Sequence, residues 1–407
     1  MYIPLNLKEG LIDMINQDAT TYGFTPDQKA RVLKLSIGLW CFIMDEQIHK
    51  YQIKTKSYHD NPFGFFVNIH SGALEKFSMR AGDIRLRYNF FVELLIRGGY
   101  IKKNENYSNY AFPMSYKIET DFIKWPFTEV PIELPKSHIY TRSIRTKEQW
   151  IAYFPAEKQI IEAHYDTNIN ISKLDEFLYS NLGRAYKYNW ENGVRTEVIL
   201  DYQNYMYYLN AAFRFKQKDF FFSRPDKEGR FYTSFNNLPK IVRQFCSIDG
   251  KSICELDLKN AQPLFLSYIL EHYTFRKDCE LGSFWDRLSG KIDKPRELTK
   301  VYVMKYVFYP KNNNSVKGGK TYEAMEELYE GLIKMIEDFR NEENMWDTLQ
   351  KKEASIFVDC MLKHNLKFLP IHDSIAVCMD QSELAKNILQ AELKLQGVKG
   401  MLDKKCY

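Results

Sequence analysis

Two short apolar runs, each carrying an aspartate where a strand pattern ends, constrain this chain most. In the first run, SICELDL at 252–258, apolar side chains flank Asp257. A carboxylate at the end of a buried strand is costly unless a partner neutralises it, and a divalent cation does this well. Pro263 follows a few residues later and fits the first turn of a helix. We therefore expect a strand that ends at an acidic site and is followed by a helix.

The second run, NLKFLPIHDSIAVCM at 365–379, has the pattern of a strand, a tight turn and a second strand, with His372 and Asp373 at the turn. A hairpin of this kind can raise Asp373 beside the end of another strand. Two aspartates placed in this way can share two Mg²⁺ ions, one activating a hydroxyl group and one holding a triphosphate. We predict that Asp257 and Asp373 are metal ligands and catalytic residues.

Between the two aspartates lies KPRELTKVYVMKYVFYP, at 294–310, with four functional side chains at a spacing of four. On an α-helix this spacing places them roughly along one face. The two basic side chains would meet phosphates, and the apolar and aromatic side chains would meet a base and a sugar. The predicted nucleotide-binding residues of this helix are Arg296, Lys300, Met304 and Phe308.

Each of these signals is weak when taken alone. An aspartate at a strand end is usually a turn or cap residue, a histidine–aspartate pair is common, and an arginine–lysine pair often forms a solvated helix face. Their order along the chain makes them more specific than any one of them.

Several blocks in this order resemble the family A polymerases, which include DNA polymerase I-like enzymes and single-subunit phage-type RNA polymerases. The resemblance spans roughly residues 224–385. The matching segments are Glu228 to Ser234 with Asn237 to Pro239 (the family's TGRLSS…NLQNIP block), Arg243-Gln244 with Asp257 (motif A), Arg296, Lys300, Met304 and Phe308 (motif B), Gln350 with Ala354 and Ile356 (the QG-x-A-A-D-I helix), and Ile371 to Ser374 (motif C).

The resemblance implies a role for each matching residue. Lys300 would protonate the leaving pyrophosphate, and Arg296 would clamp the triphosphate. His372 would support the primer end, although a purely structural role in the turn remains open. The residues that would contact primer or template are Arg230, Thr233, Arg243, Gln350 and His372.

The resemblance also implies an α+β fold with the shape of a right hand. An antiparallel palm sheet would carry both aspartates, short helical fingers would lie near 275–345, and a helical thumb would lie within 136–223. The chain departs from the family at Tyr309, where a glycine is expected, and no proofreading exonuclease is recognisable.

Sugar selection in the family depends on the residue five positions after the motif A aspartate, here Gln262, and on the motif B aromatic, here Phe308. Gln262 is bulky and should crowd a ribose 2′-hydroxyl, which favours a DNA polymerase. A primase or single-subunit RNA polymerase remains an alternative, because Thr299-Lys300 and the HDS sequence at 372–374 are closest to the RNA polymerase versions. A non-catalytic DNA-binding replication initiator is a further alternative from a different class.

Three units are predicted along the chain. Residues 1–125 have a helix over 26–47 and then a helix ending at Gly98-Gly99, a strand at Tyr100-Ile101, a turn and a strand toward Ile118, the order of a winged helix. Such a module can insert a helix in the major groove of duplex nucleic acid; a helical domain with a β-hairpin and no such role is equally open. The proline-rich stretch 124–135 is predicted to be a linker. The second unit, 126–223, would contain most of this linker and the thumb-like helices, and the third unit, 224–407, would contain the palm and fingers.

Composition adds weaker limits on partners and compartment. The net charge of +5 only mildly favours an anionic partner. The seven cysteines form no CxxC pair, which argues against zinc, and their odd number without a signal peptide suggests reduced thiols in a cytoplasmic protein. No apolar run of about 18 residues predicts a membrane span. The expected partners are a DNA primer-template and nucleoside triphosphates, with an RNA template or product left open.

Overall fold

The computed structural model describes residues 1–51, 63–104, 114–124, 126–130, 145–191, 194–218, 220–225, 229–309 and 319–407. These residues combine many helices with antiparallel sheets, so the coarse prediction of a mixed class with antiparallel strands is confirmed. None of the helices in these ranges has the length and apolar character needed to cross a membrane.

A capping box fixes the start of the long helix that the sequence predicts in the N-terminal part. The Gln28 N–H donates to the Thr25 hydroxyl at 3.3 Å, and the Thr25 N–H donates to the Gln28 side chain at 2.9 Å. The helix runs past its predicted end at residue 47 because its apolar face stays buried as far as Ile48. The first elements are β1 (Tyr2–Pro4), α1 (Leu5–Tyr22), α2 (Pro26–Lys50), β2 (Val67–Asn68), α3 (Ser71–Leu74), β3 (Met79–Ala81), β4 (Ile84–Leu86), α4 (Tyr88–Arg97), β5 (Ile101–Lys103) and β6 (Ser115–Ile118).

A small three-stranded sheet includes the two strands that come after α4, in the predicted order of helix, strand and strand. The sheet has the order β2-β6-β5, and β5 pairs antiparallel with β6 from Ile101 opposite Ile118. Helix α4 ends at Gly98, and Gly99 adopts the left-handed backbone (φ +71°) that glycine tolerates best. The predicted turn between the two strands falls largely outside the described residues, and the winged-helix interpretation stays a prediction.

Part of the predicted linker is a strand instead. Phe127–Glu129 form β7, which pairs antiparallel with β1 at the start of the chain. The linker interpretation is therefore wrong for these residues, because a strand partner far away in the sequence satisfies their backbone groups. The Asn210 side chain also bonds the backbone N–H and C=O of Tyr2, each at 3.0 Å, so the N-terminal part is tied to the middle of the chain.

The middle part is helical as predicted, with two additions that sequence periodicity did not indicate. A long hairpin of β9 (Ala185–Glu191) and β10 (Val194–Ile199) interrupts the helices. In addition, β8 (Thr167–Ile169) joins the large sheet of the C-terminal part by pairing with β13 (Cys246–Ile248). The region assigned to a thumb thus contributes a strand to the sheet. The elements are α5 (Lys147–Tyr153), α6 (Lys158–Asp166), β8 (Thr167–Ile169), α7 (Ile171–Ser180), β9 (Ala185–Glu191), β10 (Val194–Ile199) and α8 (Tyr202–Lys216).

The C-terminal part contains the central six-stranded antiparallel sheet. Its order is β15-β16-β14-β13-β8, and β17 pairs with β14 beside β13. The strands of this part are β11 (Phe222–Ser223), β12 (Tyr232–Thr233), β13 (Cys246–Ile248), β14 (Lys251–Leu258), β15 (Phe368–Ile371), β16 (Ser374–Cys378) and β17 (Leu402–Cys406).

Helices surround this sheet and occupy the stretch between the two aspartates. Two of them, α14 and α17, continue directly into π-helical turns at Val303–Phe308 and Ser355–Cys360. The helices are α9 (Ser234–Asn237), α10 (Lys240–Arg243), α11 (Ala261–Ile269), α12 (Tyr273–Glu280), α13 (Phe284–Ile292), α14 (Arg296–Tyr302), α15 (Lys320–Leu328), α16 (Leu332–Glu342), α17 (Met345–Ala354) and α18 (Ser382–Leu395).

A disulfide joins Cys254 on β14 to Cys406 on β17. The expectation that all seven cysteines are reduced thiols is therefore wrong for this pair. The sequence could not indicate it, because the two residues are 152 positions apart and meet only when β17 returns to the edge of β14. The other five cysteines are free and buried.

Candidate active site

Asp257 and Asp373 come together where β14 runs beside the β15–β16 hairpin. Asp257 lies directly opposite Ser374 in the antiparallel register, and the Leu258 N–H donates to the Asp373 carbonyl at 3.2 Å. A two-residue turn, His372 and Asp373, connects the paired residues Ile371 and Ser374. The two aspartates that the sequence singles out are thus neighbours at one end of the sheet.

The surroundings of the two carboxyl groups disfavour their charged forms. Asp257 is solvent-accessible, but protein atoms crowd its carboxyl, and this desolvation together with the nearby Asp373 raises its pKa to about 6. Desolvation also raises the pKa of Asp373, opposed by the positive charges of Arg230 and Lys300. A cation bound by both carboxyl groups would relieve this repulsion.

Two further charged residues near Asp257 were not predicted. Asp403 on β17 lies directly opposite Asp257 on the other side of β14, and its Oδ1 lies 3.2 Å from the Lys259 Nζ. Lys240, an exposed residue at the start of α10, lowers the pKa of Asp257 through its charge. Among the described residues, no three histidine, cysteine or acidic side chains are grouped closely enough to hold a metal ion by themselves.

Lys300 at the end of α14 faces this acidic pair. Burial and the neighbouring Arg296 lower the pKa of Lys300, while Glu297 and both aspartates, Asp257 and Asp373, oppose that shift. The Lys300 Nζ also lies 5.7 Å from the centre of the Trp285 ring. Burial thus makes the ammonium group a better proton donor than a solvated lysine.

Arg296 lies at the start of α14, one turn before Lys300. Its Nε lies 3.0 Å from Asp286 Oδ1 on α13; the Arg296 side chain is half-buried and the Asp286 side chain is exposed. A partly exposed ion pair of this kind contributes little to stability and can exchange for another anion.

The π-helical turn after α14 changes which aromatic residue follows the predicted helix face. The Tyr309 N–H donates to the Met304 carbonyl at 2.8 Å, a bond that spans five residues instead of four. The expectation that Phe308 shares a face with Lys300 and Met304 is therefore wrong. Phe308 is buried in the core at 1% exposure, whereas Met304 stays half-buried and Tyr309 takes the next position along the face.

Tyr309 belongs to a polar network that links motif A to the helices around it. The Tyr309 hydroxyl donates to Gln262 Oε1 at 2.9 Å, and the Gln262 side chain bonds the carboxyl of Glu353. The Arg230 guanidinium donates to Glu353 through Nε at 3.0 Å and through Nη2. Glu353 is 1% exposed, so this network holds Gln262 in place from inside the protein.

Two of the residues predicted to contact primer or template are buried instead. Thr233 is completely buried, and its N–H and hydroxyl both donate to Asn236 Oδ1 at 2.8 Å. The Asn236 amide donates in turn to the Pro370 carbonyl at 3.1 Å, next to the hairpin of Asp373. Gln350 is also completely buried, and its side chain has no hydrogen-bond partner among the described residues. Neither side chain reaches the surface, and their assignment as primer or template contacts stays a prediction.

Arg243 and His372, two further residues predicted to contact primer or template, lie beside the elements that carry the acidic pair. The Arg243 Nη1 lies 3.2 Å from Glu255 Oε1, and its guanidinium lies 5.9 Å from the Phe235 ring centre. His372 adopts a positive φ of 56° in the turn and its ring contacts Tyr232, with 5.9 Å between ring centres. Desolvation and then the charges of Arg230 and Arg243 lower the His372 pKa to about 4, so its ring is neutral at pH 7.

Comparison with known proteins gives limited information. No family model and no curated protein matches this chain. Among solved structures, the chain is similar to the POL domain of Pol1 from M. smegmatis, which was solved in complex with DNA primer-template and dNTP. The two share 8% sequence identity, and the alignment covers 62% of this chain and 69% of that chain with a TM-score of 0.38.

Proposed function

We propose that this chain is a template-directed nucleotidyltransferase that adds deoxynucleotides to a primer 3′-hydroxyl. The observation that carries the proposal is the pairing of Asp257 with Asp373 where β14 meets the β15–β16 hairpin. Neither aspartate forms an ion pair among the described residues, so the charges of Lys240, Arg230 and Lys300 offset their mutual repulsion only in part.

The donor set of the site fits magnesium. Mg²⁺ commonly takes one or two protein carboxylates and completes its octahedral shell with water and substrate phosphates. Asp257 and Asp373 would hold two such ions, which supply activation of the hydroxyl and neutralisation of the triphosphate when bound. The pair without a third protein ligand matches a site that is completed by its substrate.

The surrounding basic residues suit the leaving group. The primer 3′-hydroxyl would release its proton to solvent and its oxygen would bond to the α-phosphorus while the bond to pyrophosphate breaks. The pyrophosphate would take a proton from Lys300. Burial lowers the Lys300 pKa, which favours that transfer. Arg296 would exchange its exposed partner Asp286 for the triphosphate.

The network around Gln262 supports the choice of a deoxyribose. Gln262 is bonded by both Tyr309 and Glu353, so its side chain is held in position and would crowd a ribose 2′-hydroxyl. The aromatic partner that we assign to Gln262 is thus Tyr309, in place of Phe308. Arg230, which is bonded to Glu353, would support the same network and lie near the primer-template.

Incorporation of dNTPs on a primed DNA template with Mg²⁺ tests the proposal. The wild-type chain should extend the primer, whereas Asp373→Ala should abolish extension and keep the melting temperature. The Asp380→Ala change removes an exposed carboxylate of the same part of the chain and serves as the matched control. Synthesis that starts without a primer and fails to extend one would favour a primase. A preference for NTPs would favour an RNA polymerase, and DNA binding with no incorporation would favour a replication initiator.

A further inference from the structure

The β3–β4 hairpin presents three arginines on one face. Arg80 on β3 lies directly opposite Arg85 on β4, and Arg87 follows two positions later on the same side. A two-residue turn at Gly82 and Asp83 closes the hairpin, with Gly82 at a φ of +62°. All three arginines are exposed.

These arginines carry charge that no ion pair within the described ranges neutralises. None of the three forms an ion pair with another residue of the described part of the chain. Like charges directly opposite each other destabilise an antiparallel pair. Burial of Met79 and Leu86, at 4% and 3% exposure, holds the other face of the hairpin in place against that repulsion. An external anion would relieve it.

The exposed face of α4 is a poorer surface for a polyanion. Its exposed positions one turn apart are Asn89, Glu93 and Arg97. Arg97 is already bonded to Asp18 on α1 at 2.5 Å, and Glu93 would repel phosphate. Of these two elements, the hairpin before α4 therefore carries the unpaired positive charge, and the helix that would enter a groove does not.

We propose that Arg80, Arg85 and Arg87 bind the phosphate backbone of duplex nucleic acid. Arginine presents a rigid fork of donors to phosphate, and backbone contacts position a protein on a duplex without reading its sequence. This inference goes beyond nucleotidyl transfer, because it requires neither nucleotide nor metal.

Fluorescence anisotropy with the full chain and a labelled blunt DNA duplex, without Mg²⁺ or nucleotide, tests the hairpin. Changing Arg80, Arg85 and Arg87 together to Gln should weaken binding by about tenfold or more at low salt. The slope of log affinity against log salt should become shallower by about 3, or about 1 for each lost contact. The single Arg85→Gln variant should show about one third of that change in slope.

The matched control changes Arg31, Lys34 and Lys124 to Gln, which removes the same charge from exposed positions outside the hairpin. It should leave the slope nearly unchanged. The hairpin variant should keep or slightly raise its melting temperature, because like-charge repulsion is removed. Equal slopes for both triple variants, or binding to phosphatidylserine vesicles but not to the duplex, would overturn the inference. The Asp257→Asn variant should bind the duplex normally, which separates this result from the outcome of the primer-extension assay.

Discussion

The Tyr309 hydroxyl donates a 2.9 Å hydrogen bond to Gln262 Oε1 and so joins the π-helical turn after α14 to the start of α11. This contact fixes the Gln262 amide beside the Tyr309 ring, in the segment that follows Asp257. The first prediction follows from it.

Replacing Gln262 with Gly should raise the use of NTPs relative to dNTPs. The bulk that would crowd a 2′-hydroxyl is removed, and discrimination by pocket shape typically amounts to about tenfold or more. The measurement is the ratio of kcat/KM for NTP and dNTP on one primed template. An unchanged ratio in Gln262→Gly would remove Gln262 from sugar selection.

Two neighbouring aromatic variants test the assignment of the partner. Tyr309→Phe keeps the ring but loses the bond to Gln262, and it should shift the sugar ratio in the same direction by a smaller factor. Phe308→Leu should lower stability through its buried position and leave the ratio unchanged. The opposite pattern would restore the assignment made from the sequence.

The raised pKa of Asp257 predicts a pH dependence of stability in the metal-free protein. Between pH 4 and 6 the folded state keeps the Asp257 proton (pKa about 6), whereas the unfolded state, in which aspartate has its ordinary pKa of 3.8, has released it. The folded state therefore binds more protons, and this group makes stability fall as pH rises through that window. Asp257→Asn should raise the melting temperature at pH 7.5 in EDTA, and the difference should shrink toward pH 4.

With Mg²⁺ present, the stability of the wild-type chain should rise with pH instead of falling, and the Asp257→Asn variant should not show this reversal. Metal binding requires the carboxylate, so Mg²⁺ should stabilise the wild-type chain at pH 7.5 and progressively less below about pH 6. Thermal shift against Mg²⁺ concentration gives the readout. A shift of equal size in Asp257→Asn would contradict a role for this carboxylate in binding.

The buried pair of Arg230 and Glu353 should be important for stability. Their side chains are 11% and 1% exposed, so Glu353→Gln leaves a buried cation without its counter-charge. Breaking such a pair typically costs about 3–5 kcal/mol. Urea denaturation of Glu353→Gln checks this value, with Lys251→Gln as the control, because its ion pair with Asp380 is exposed and should contribute little.

The disulfide predicts a specific thiol count. Alkylation of the denatured, unreduced chain should modify five cysteines, and seven after reduction. Reduction should also lower the melting temperature, because the bond closes a loop of 152 residues. Cys406→Ser should show the lower temperature without reductant and no further response to it. Seven reactive thiols before reduction would exclude the bond under those conditions.

Local patterns made the acidic pair predictable. An apolar run that ends in Asp257 and a strand–turn–strand run around Asp373 indicated two strands and a hairpin, and these elements are present. The capping box at Thr25 likewise marks the start of α2, because it involves residues that are three positions apart.

Contacts between distant parts of the chain were not predictable in this way. The pairing of β17 with β14, which brings Asp403 opposite Asp257, depends on a return of the chain that no local pattern shows. The same applies to β8 in the central sheet and β7 beside β1. The burial of Thr233 and Gln350 also results from tertiary packing. Their polar side chains alone would suggest exposed positions.

The π-helical turn at Val303–Phe308 changes which residues face the surface along the rest of its helix. One residue inserted into a turn rotates every later side chain by about 100° relative to an uninterrupted α-helix. A protein engineer who counts in fours from Lys300 reaches Phe308 in the hydrophobic interior, whereas counting five from Met304 reaches Tyr309. Deleting one residue between Met304 and Tyr309 would shorten that interval to the four residues of an ordinary α-helix, and Tyr309 would still follow Met304 along the same face.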